Sequence, residues 1–310
     1  MPSAIAQGII WGIMALGVYI TFRILGLSDL SVDGTFALGG AVSVMLIISG
    51  CPAYAAVLAA IAAGIIAGLV TGLLHTKLGI PAILSGILTQ FALYSVNLRI
   101  MGMKSNQTAS LKNFGMFFDN GTGFLLSSRY VPMAILVGAI LAAAVVFVMY
   151  WYFGTEQGSA IRAVGSNPSM ACAQGINISN MKVLGLAISN GVIALAGALM
   201  TQFQGTADVN MGRGAIVIGL AAIVIGEVVC DAIFSKGCSF WVRLVFIAAG
   251  GIMYYIVMTV ILWLRLDPND LKLFTAIIVA VFLAVPYLQQ QSRSSFRRAA
   301  KNAEEGKRNA

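Results

Sequence analysis

Apolar runs about as long as a bilayer core is thick recur along almost the whole chain. A helix needs about 20 consecutive apolar residues to cross the hydrocarbon core. Stretches that approach or reach that length lie at 4–25, 34–49, 53–74, 81–101, 131–152, 182–203, 212–229, 240–264 and 271–288. Because 59% of the residues are hydrophobic and only 10% are charged, no soluble domain could bury so much apolar surface. The sequence predicts an all-α polytopic membrane protein with about 8–10 transmembrane helices.

The tail after the last apolar run, residues 289–310, is basic. Its charged residues are Arg293, Arg297, Arg298, Lys301, Glu304, Glu305, Lys307 and Arg308. By the positive-inside rule, this tail predicts a cytoplasmic C-terminus for a multi-pass protein of the bacterial cell (plasma or inner) membrane. Binding of nucleic acid would need aromatic or motif context that Phe296 alone does not supply, so we expect no nucleic-acid partner. The predicted organisation is one transmembrane domain, 1–288, followed by a solvated tail.

Counting spans back from a cytoplasmic tail assigns a side to each loop. Residues 230–239 and 154–181 fall in the cytoplasm, whereas 204–211 and 102–130 fall outside. Nine full spans put the N-terminus outside, but a broken or re-entrant helix at 27–50 would change the parity, so the N-terminal side stays open. The start, MPSAIAQG, lacks a basic segment and a small-residue cleavage site, so we expect the first apolar run to be retained as a span.

The polar stretch from Gly154 to Met181 predicts two short helices outside the membrane. Asn167 is a suitable N-cap and Pro168 fits the first helical position of the second helix. Gly175 favours a helix end, because glycine accepts the left-handed conformation. A stretch of this kind, held between two spans, is either a docking surface for a soluble partner or an ordered loop without one. These residues alone favour neither interpretation.

Motifs of catalysis and metal binding are lacking from the sequence. It contains no Walker A sequence, no GxSxG and no HExxH, so we expect no enzyme activity and no ATP hydrolysis by this chain. His75 is the sole histidine, and Cys51, Cys172, Cys230 and Cys238 are scattered. A zinc site needs clustered ligands, so no metal site is expected. The cysteines are interpreted as small apolar fillers.

Polar residues inside the apolar runs are candidates for a solute pathway. The segment Asp29–Gly34, DLSVDG, places two carboxylates beside a helix start, where backbone N–H groups stabilise negative charge. Asp29 and Asp33 either line a water-filled path or are a solvated end and the N-cap of the second span. Amides inside a bilayer need partners, so the others either contact a polar solute or hold helices together. These are Gln90, Asn97, Ser189 and Asn190.

Three glycines of the third span predict a close helix contact. Gly64, Gly68 and Gly72 recur at every fourth position, so one face of this helix carries no side chains. Such a face allows a neighbouring helix to approach closely within a membrane. The pattern therefore predicts a tightly packed partner helix along span 3.

The run from Glu156 to Leu199 resembles the cytoplasmic coupling segment of ABC importer permeases, within the branched-chain amino acid and ribose permease superfamily. The pattern RAVGxNPxxAxxxGI occurs from Arg162 to Ile176, and DLSVDGTFALGGA is similar to a segment of ribose permeases. The combination is most similar to permeases of tryptophan/tyrosine-type uptake systems. The resemblance implies ATPase coupling through Glu156, Gly158, Arg162, Ala163, Gly165, Asn167, Pro168 and Gly175.

The resemblance also implies partners and a mechanism. A homodimer of permeases in membrane lipid would form the pathway, separate ATPase subunits would use ATP, and an extracellular or periplasmic binding protein would deliver the solute. No cofactor is expected on this chain. Amino acids, aromatic or branched-chain, are the expected solute, and a sugar or nucleoside is the alternative. An ion-coupled secondary transporter is the rival class. The sequence shows no pair of broken helices in its two halves, and this argues against that class. A membrane protein with a structural or receptor role is a further rival.

Overall fold

The apolar runs within the described part of the chain form helices, because lipid offers the backbone no hydrogen-bond partner and a helix satisfies its own N–H and C=O groups. The computed structural model describes residues 2–109, 126, 131–234, 238–263, 277 and 280. The helices are α1 (Pro2–Tyr19), α2 (Val32–Ile48), α3 (Ala53–Thr76), α4 (Ala82–Ile100), α5 (Val131–Gly154), α6 (Glu156–Ser166), α7 (Pro168–Ala173), α8 (Ile178–Gln204), α9 (Ala215–Ile233) and α10 (Phe240–Trp263). A π-helical segment, Ile20–Ile24, continues α1.

Within the described residues, seven helices are long and apolar enough to cross a membrane, and α2, with 17 residues, is shorter. The prediction of an all-α polytopic membrane protein is confirmed. The one addition is a pair of short antiparallel strands, β1 (Asn106–Thr108) and β2 (Thr206–Asp208). The span predicted at 271–288, apart from residues 277 and 280, and the tail 289–310 lie outside the described residues, as does most of the loop 102–130.

Helix α8 is the centre of the bundle and contacts α1, α2 and α3. The glycine face predicted on span 3 lies directly against it. A Cβ atom added at Gly68 would lie 2.7 Å from the Cα atom of Ala187, and one added at Gly72 would lie 2.9 Å from the Cα atom of Val183. Gly64 meets the backbone of Asn190 in the same way. The prediction of a close helix partner is therefore confirmed, and the partner is α8.

Helix α2 begins in the middle of the bundle and not at its end. The π-helical segment ends near the start of α8, where Leu25 contacts Gly185. The chain then turns back, so that Ser31 and Thr35 lie against Asn190, halfway along α8. Residues 25–31 therefore re-enter the bundle as irregular backbone, and α2 completes the crossing.

The two ends of the bundle carry different structures. At one end, α6 and α7 lie beside the start of α10, where Arg162 stacks on Phe240. At the other end, β1 pairs with β2, so the loops at 102–109 and 204–211 lie together. Residues 154–181, 230–234 and 238–239 thus lie at one end and 204–211 at the other, which is the relative arrangement that counting spans predicted for these residues.

Three cysteines differ from the sequence interpretation. Cys230 and Cys238 form a disulfide that joins the end of α9 to the start of α10. Cys172, on α7, is a free and exposed thiol. The interpretation of the cysteines as apolar fillers is wrong for these three. Cys230 and Cys238, eight residues apart, meet across the turn between α9 and α10, and α7 lies outside the apolar bundle.

Candidate functional site

The short helices α6 and α7 form a hairpin, residues 155–175, that is fixed by its own capping groups. Thr155 caps α6 by accepting a hydrogen bond from the N–H of Gly158. The Asn167 side chain accepts one from the N–H of Met170, 3.1 Å away, and Pro168 follows it at the first position of α7. Gly175 has a φ of +80° just beyond α7. The Asn167 cap, the position of Pro168 and the stop at Gly175 are confirmed, whereas the Thr155 cap was not predicted from the sequence.

The hairpin is seated on the bundle through backbone contacts. Gly165 lies against the carbonyl of Ile24, and Gly158 lies against the carbonyl of Tyr152, so neither position has room for a side chain. Ile161 and Val164 are buried beneath α6. Because the seat is made of close backbone contacts, a displacement of α6 would be transmitted directly to the end of α1.

The predicted coupling residues divide into two groups. Those that seat the hairpin or are partly covered are Gly158, Ala163 and Gly165, and those exposed at its surface are Glu156, Arg162, Asn167, Pro168 and Gly175. The Arg162 guanidinium lies 5.5 Å from the centre of the Phe240 ring, which orients it. Met170 adds an exposed apolar side chain, 63% accessible, next to these polar groups. The surface is therefore rigid, mixed in chemistry and open to a partner.

A second polar cluster lies inside the bundle around Asn190. Its amide nitrogen donates to Asp29, 3.0 Å away, and its amide oxygen accepts from the hydroxyls of Thr35 (2.7 Å) and Ser31 (3.1 Å). Asp29 is only 3% exposed and also accepts from the N–H of Ser31. The interpretation of Asp29 as a solvated end is therefore wrong. This network ties the re-entrant segment to the middle of α8.

Ser189 has a comparable structural position. It is fully buried, and its hydroxyl donates to the carbonyl of Gly17 at 2.8 Å, which joins α8 to α1. The two polar side chains halfway along α8, Ser189 and Asn190, therefore both have hydrogen-bond partners inside the bundle.

Asp33 does not cap its own helix. Its carboxylate accepts hydrogen bonds from the N–H groups of Gly214 (3.0 Å) and Ile216 (3.1 Å), so it caps the start of α9. The interpretation of Asp33 as the N-cap of the second span is wrong, because Ser31 precedes that helix and Asp33 lies in its first turn. The positive ends of two helix dipoles, from α2 and α9, therefore meet at one carboxylate.

The meeting of these two helix starts also corrects the argument from the sequence about broken helices. Residues 212–214 turn inward from the β2 end of the bundle, and Gly212 lies against the carbonyl of Asp33. Both α2 and α9 thus begin inside the bundle, one in each half of the chain. Irregular backbone at membrane depth is stable only where protein or a water-filled cavity satisfies it. We see no sequence repeat that would have predicted the paired starts of α2 and α9.

A cavity of about 310 Å³ opens where the two helices begin. It is lined by Asp33, Gly34, Gln90, Phe91, Tyr94, Asn97, Val209, Asn210 and Arg213. Of the predicted pathway residues, the structure brings Asp33, Gln90 and Asn97 together here. Asp29, Ser189 and Asn190 do not line this cavity.

Sequence reasoning missed Tyr94, Asn210 and Arg213 at this cavity. Tyr94 is one helical turn from Gln90 on α4, so the periodicity of that helix could have found it. Arg213 flanks span 7 in the sequence, but nothing there indicates that it lies beside span 2. Within the described residues, no group of three His, Cys, Asp or Glu side chains is placed to hold a metal ion.

A bundle of spanning helices, a re-entrant helix start beside a polar cavity and a rigid hairpin at one end define a multi-pass membrane permease. A model of the family described as "Branched-chain amino acid transport system / permease component" matches residues 1–286. The chain belongs to this permease family.

Two named transport permeases and one uncharacterized protein are similar to this chain. The tyrosine transport system permease protein of Clostridioides difficile (strain R20291) is 39% identical over 286 residues, covering 91% of this chain and 90% of the relative. An uncharacterized protein of Rickettsia prowazekii is 33% identical, covering 91% and 96%. The ribose import permease protein of Bacillus subtilis (strain 168) is 32% identical over 72% of this chain and 67% of its own length. No solved structure shows a significant match to the chain.

Proposed function

We propose that this chain is the transmembrane subunit of an ATP-driven ABC importer that moves amino acids, aromatic or branched-chain, by alternating access. The observation that carries the proposal is the hairpin α6–α7, which is rigidly seated against Ile24 and exposed at its outer surface. A soluble ATPase that docks there would push on the end of α1 and on the start of α8. The chain itself would hold no ATP and no cofactor.

The expected partners follow from this role. Separate ATPase subunits would dock on Glu156, Arg162, Asn167, Pro168 and Gly175. An extracellular or periplasmic binding protein would deliver the solute to the other end, and a second copy of this chain, in membrane lipid, would complete the pathway. With the hairpin in the cytoplasm, the tail 289–310 would lie there as well.

The solute pathway would pass the cavity at the start of α2 and α9. Asp33, Gln90 and Asn97 line it directly. Asp29, Ser189 and Asn190 would act behind this wall, since their hydrogen bonds hold α8 to the re-entrant segment and to α1. The aromatic side chains of Phe91 and Tyr94 at the same cavity favour an aromatic solute, and the relative named as a tyrosine transport permease supports that choice.

One observation favours a second candidate, an ion-coupled secondary transporter. Paired helix starts beside a polar cavity also occur in transporters driven by ion gradients. The two candidates differ in their energy source, because only the importer needs a docked ATPase.

Co-purification with a partner ATPase subunit tests the proposed docking surface. Gly165→Trp would lift α6 from its seat, and Arg162→Glu would reverse the charge and remove the contact with Phe240. Both variants should insert into the membrane and lose the ATPase. Arg99→Glu, a charge reversal at an exposed arginine of α4, is the matched control and should retain it. Unchanged co-purification in both hairpin variants would contradict the proposal.

A further inference from the structure

The cavity contains a buried hydrogen-bond acceptor that has no partner among the described residues. Asn97 is 1% exposed, and its amide oxygen, Oδ1, is left without a hydrogen bond. Its amide nitrogen donates to the carbonyl of Gly34, 3.3 Å away. Because that carbonyl can only accept, the amide cannot be reversed, and Oδ1 remains the free group. A buried polar atom without a partner is unfavourable, so this oxygen is available to a donor that does not belong to the described residues.

The cavity also contains groups of opposite charge. Asp33 contributes a carboxylate whose oxygens each accept one backbone N–H group and retain further capacity to accept. Arg213 contributes an exposed guanidinium, and in the described part of the chain no carboxylate lies within ion-pair distance of it. Asp33 also caps the start of α9, so its carboxylate and Arg213 lie at the same helix start. The wall therefore presents the Asp33 carboxylate and the Asn97 amide oxygen as acceptors, and the Arg213 guanidinium as a positive group.

We propose that this cavity is a subsite that recognises the zwitterionic head group of a free α-amino acid. The solute ammonium lies between the Asp33 carboxylate and Asn97 Oδ1, and the solute carboxylate pairs with Arg213. An arginine suits this role because its planar fork matches a carboxylate. The inference rests on the proposed function and adds that the permease itself discriminates by the charge of the solute, in addition to any selection by a binding protein.

The rest of the cavity fits an aromatic side chain on that head group. Its volume of about 310 Å³ lies at the lower end of the range of about 300–1,000 Å³ typical of small-molecule sites. Phe91 and Tyr94, one helical turn or less apart on α4, offer rings against which an aromatic solute packs. A neutral sugar could hydrogen-bond to these groups but would bring no charge to pair with Asp33 or Arg213.

Direct binding to the purified full-length permease, without partner proteins, tests the subsite. The probes are radiolabelled L-tyrosine, tyramine, which lacks the carboxylate, and 3-(4-hydroxyphenyl)propionate, which lacks the ammonium. The wild type should bind tyrosine about tenfold or more tightly than either analogue, since each loses a charge-assisted contact. Arg213→Gln should reduce tyrosine binding about tenfold and leave tyramine unchanged, so that the two ligands become equal.

Variants of the acceptors, Asn97 and Asp33, should show the opposite pattern of binding. Asn97→Ala and Asp33→Asn should weaken tyrosine and tyramine alike and leave the propionate unchanged. Arg99→Gln, which removes an exposed arginine from the same helix as Asn97 but not from the cavity, is the control and should bind as the wild type does. The Arg213 side chain has no hydrogen-bond or ion-pair partner in the described part of the chain, so its variant stays informative even where Asp33→Asn disturbs the start of α9.

Several outcomes would overturn the subsite. The first is that the wild type does not bind tyrosine. The second is that Arg213→Gln weakens the binding of tyrosine and tyramine equally. The third is that ribose competes for the site as well as tyrosine does. ATP-driven uptake in the assembled transporter separates this failure from failure of the proposed function. Uptake by the wild type together with an unchanged tyrosine-to-tyramine ratio in Arg213→Gln contradicts the subsite alone, whereas no ATP-driven uptake contradicts the importer.

Discussion

The side-chain amide of Asn190 donates a hydrogen bond to the Asp29 carboxylate, 3.0 Å away, in the interior of the bundle. One residue lies halfway along the central helix and the other lies in the irregular segment that precedes α2. The same amide accepts from Ser31 and Thr35. This one side chain therefore fixes the depth at which α2 begins, and with it the position of Asp33 at the cavity.

Replacing Asn190 by alanine should destabilise the bundle. Asn190→Ala would leave the Asp29 carboxylate and two hydroxyls with fewer partners, and a buried group left unsatisfied costs about 1–3 kcal/mol. The thermal unfolding midpoint in detergent should fall accordingly. Asn180→Ala, at an exposed amide near the start of the same helix, is the control and should unfold as the wild type does. Equal midpoints for all three proteins would show that the network does not stabilise the fold.

Asp29, in the re-entrant segment, and Asp33, in the first turn of α2, should differ in their effect on transport. Asp29 is buried in the network, whereas Asp33 lines the cavity. Asp33→Asn should lower uptake per folded molecule about tenfold, equivalent to about 1.4 kcal/mol. Asp29→Asn should reduce stability and leave uptake per folded molecule within about twofold, well under 1 kcal/mol. Normal uptake by both variants would mean that neither carboxylate contacts the solute.

Helix lengths and caps were predictable from the sequence, but the partners of the polar residues were not. Hydropathy, Asn167, Pro168 and Gly175 carry local signals, because helix length and capping depend on neighbours in the chain. Asp33 is bonded to Gly214, far along the chain. The local pattern was enough to single out the Asp33 carboxylate as a capping group. Which helix it caps depends on how the helices pack, and the prediction from the sequence named the wrong one. The pairing of the starts of α2 and α9 was missed for the same reason.

The glycine face of α3 should not tolerate side chains. Gly68→Leu would drive a side chain into the backbone of α8 near Ala187, and overpacking of this kind costs about 1–3 kcal/mol or more. We expect a lower unfolding midpoint and a lower yield of folded protein. Ala62→Leu adds a leucine at an exposed position of the same helix and should change neither quantity. A tolerated leucine at position 68 would contradict the close approach of α3 and α8.

Two free cysteines report the sidedness of the protein. Cys51 follows α2 at one end of the bundle, and Cys172 is exposed on the hairpin at the other end. With the hairpin in the cytoplasm, a membrane-impermeant maleimide should label Cys172 only after the membrane is permeabilised. Cys51, which is half-buried, should be labelled from outside in intact cells. Cys172→Ser and Cys51→Ser identify each signal, and labelling of Cys172 in intact cells would reverse the assigned topology.

Uptake by the assembled transporter in proteoliposomes tests whether this chain works as the permease of an ATP-driven importer. This chain, its ATPase and its binding protein are reconstituted, and accumulation of radiolabelled tyrosine is measured with and without ATP. We expect accumulation that requires ATP and is lost in Gly165→Trp, while Arg99→Glu accumulates tyrosine normally. Accumulation that follows an ion gradient without ATP, and that Gly165→Trp leaves unchanged, would contradict it.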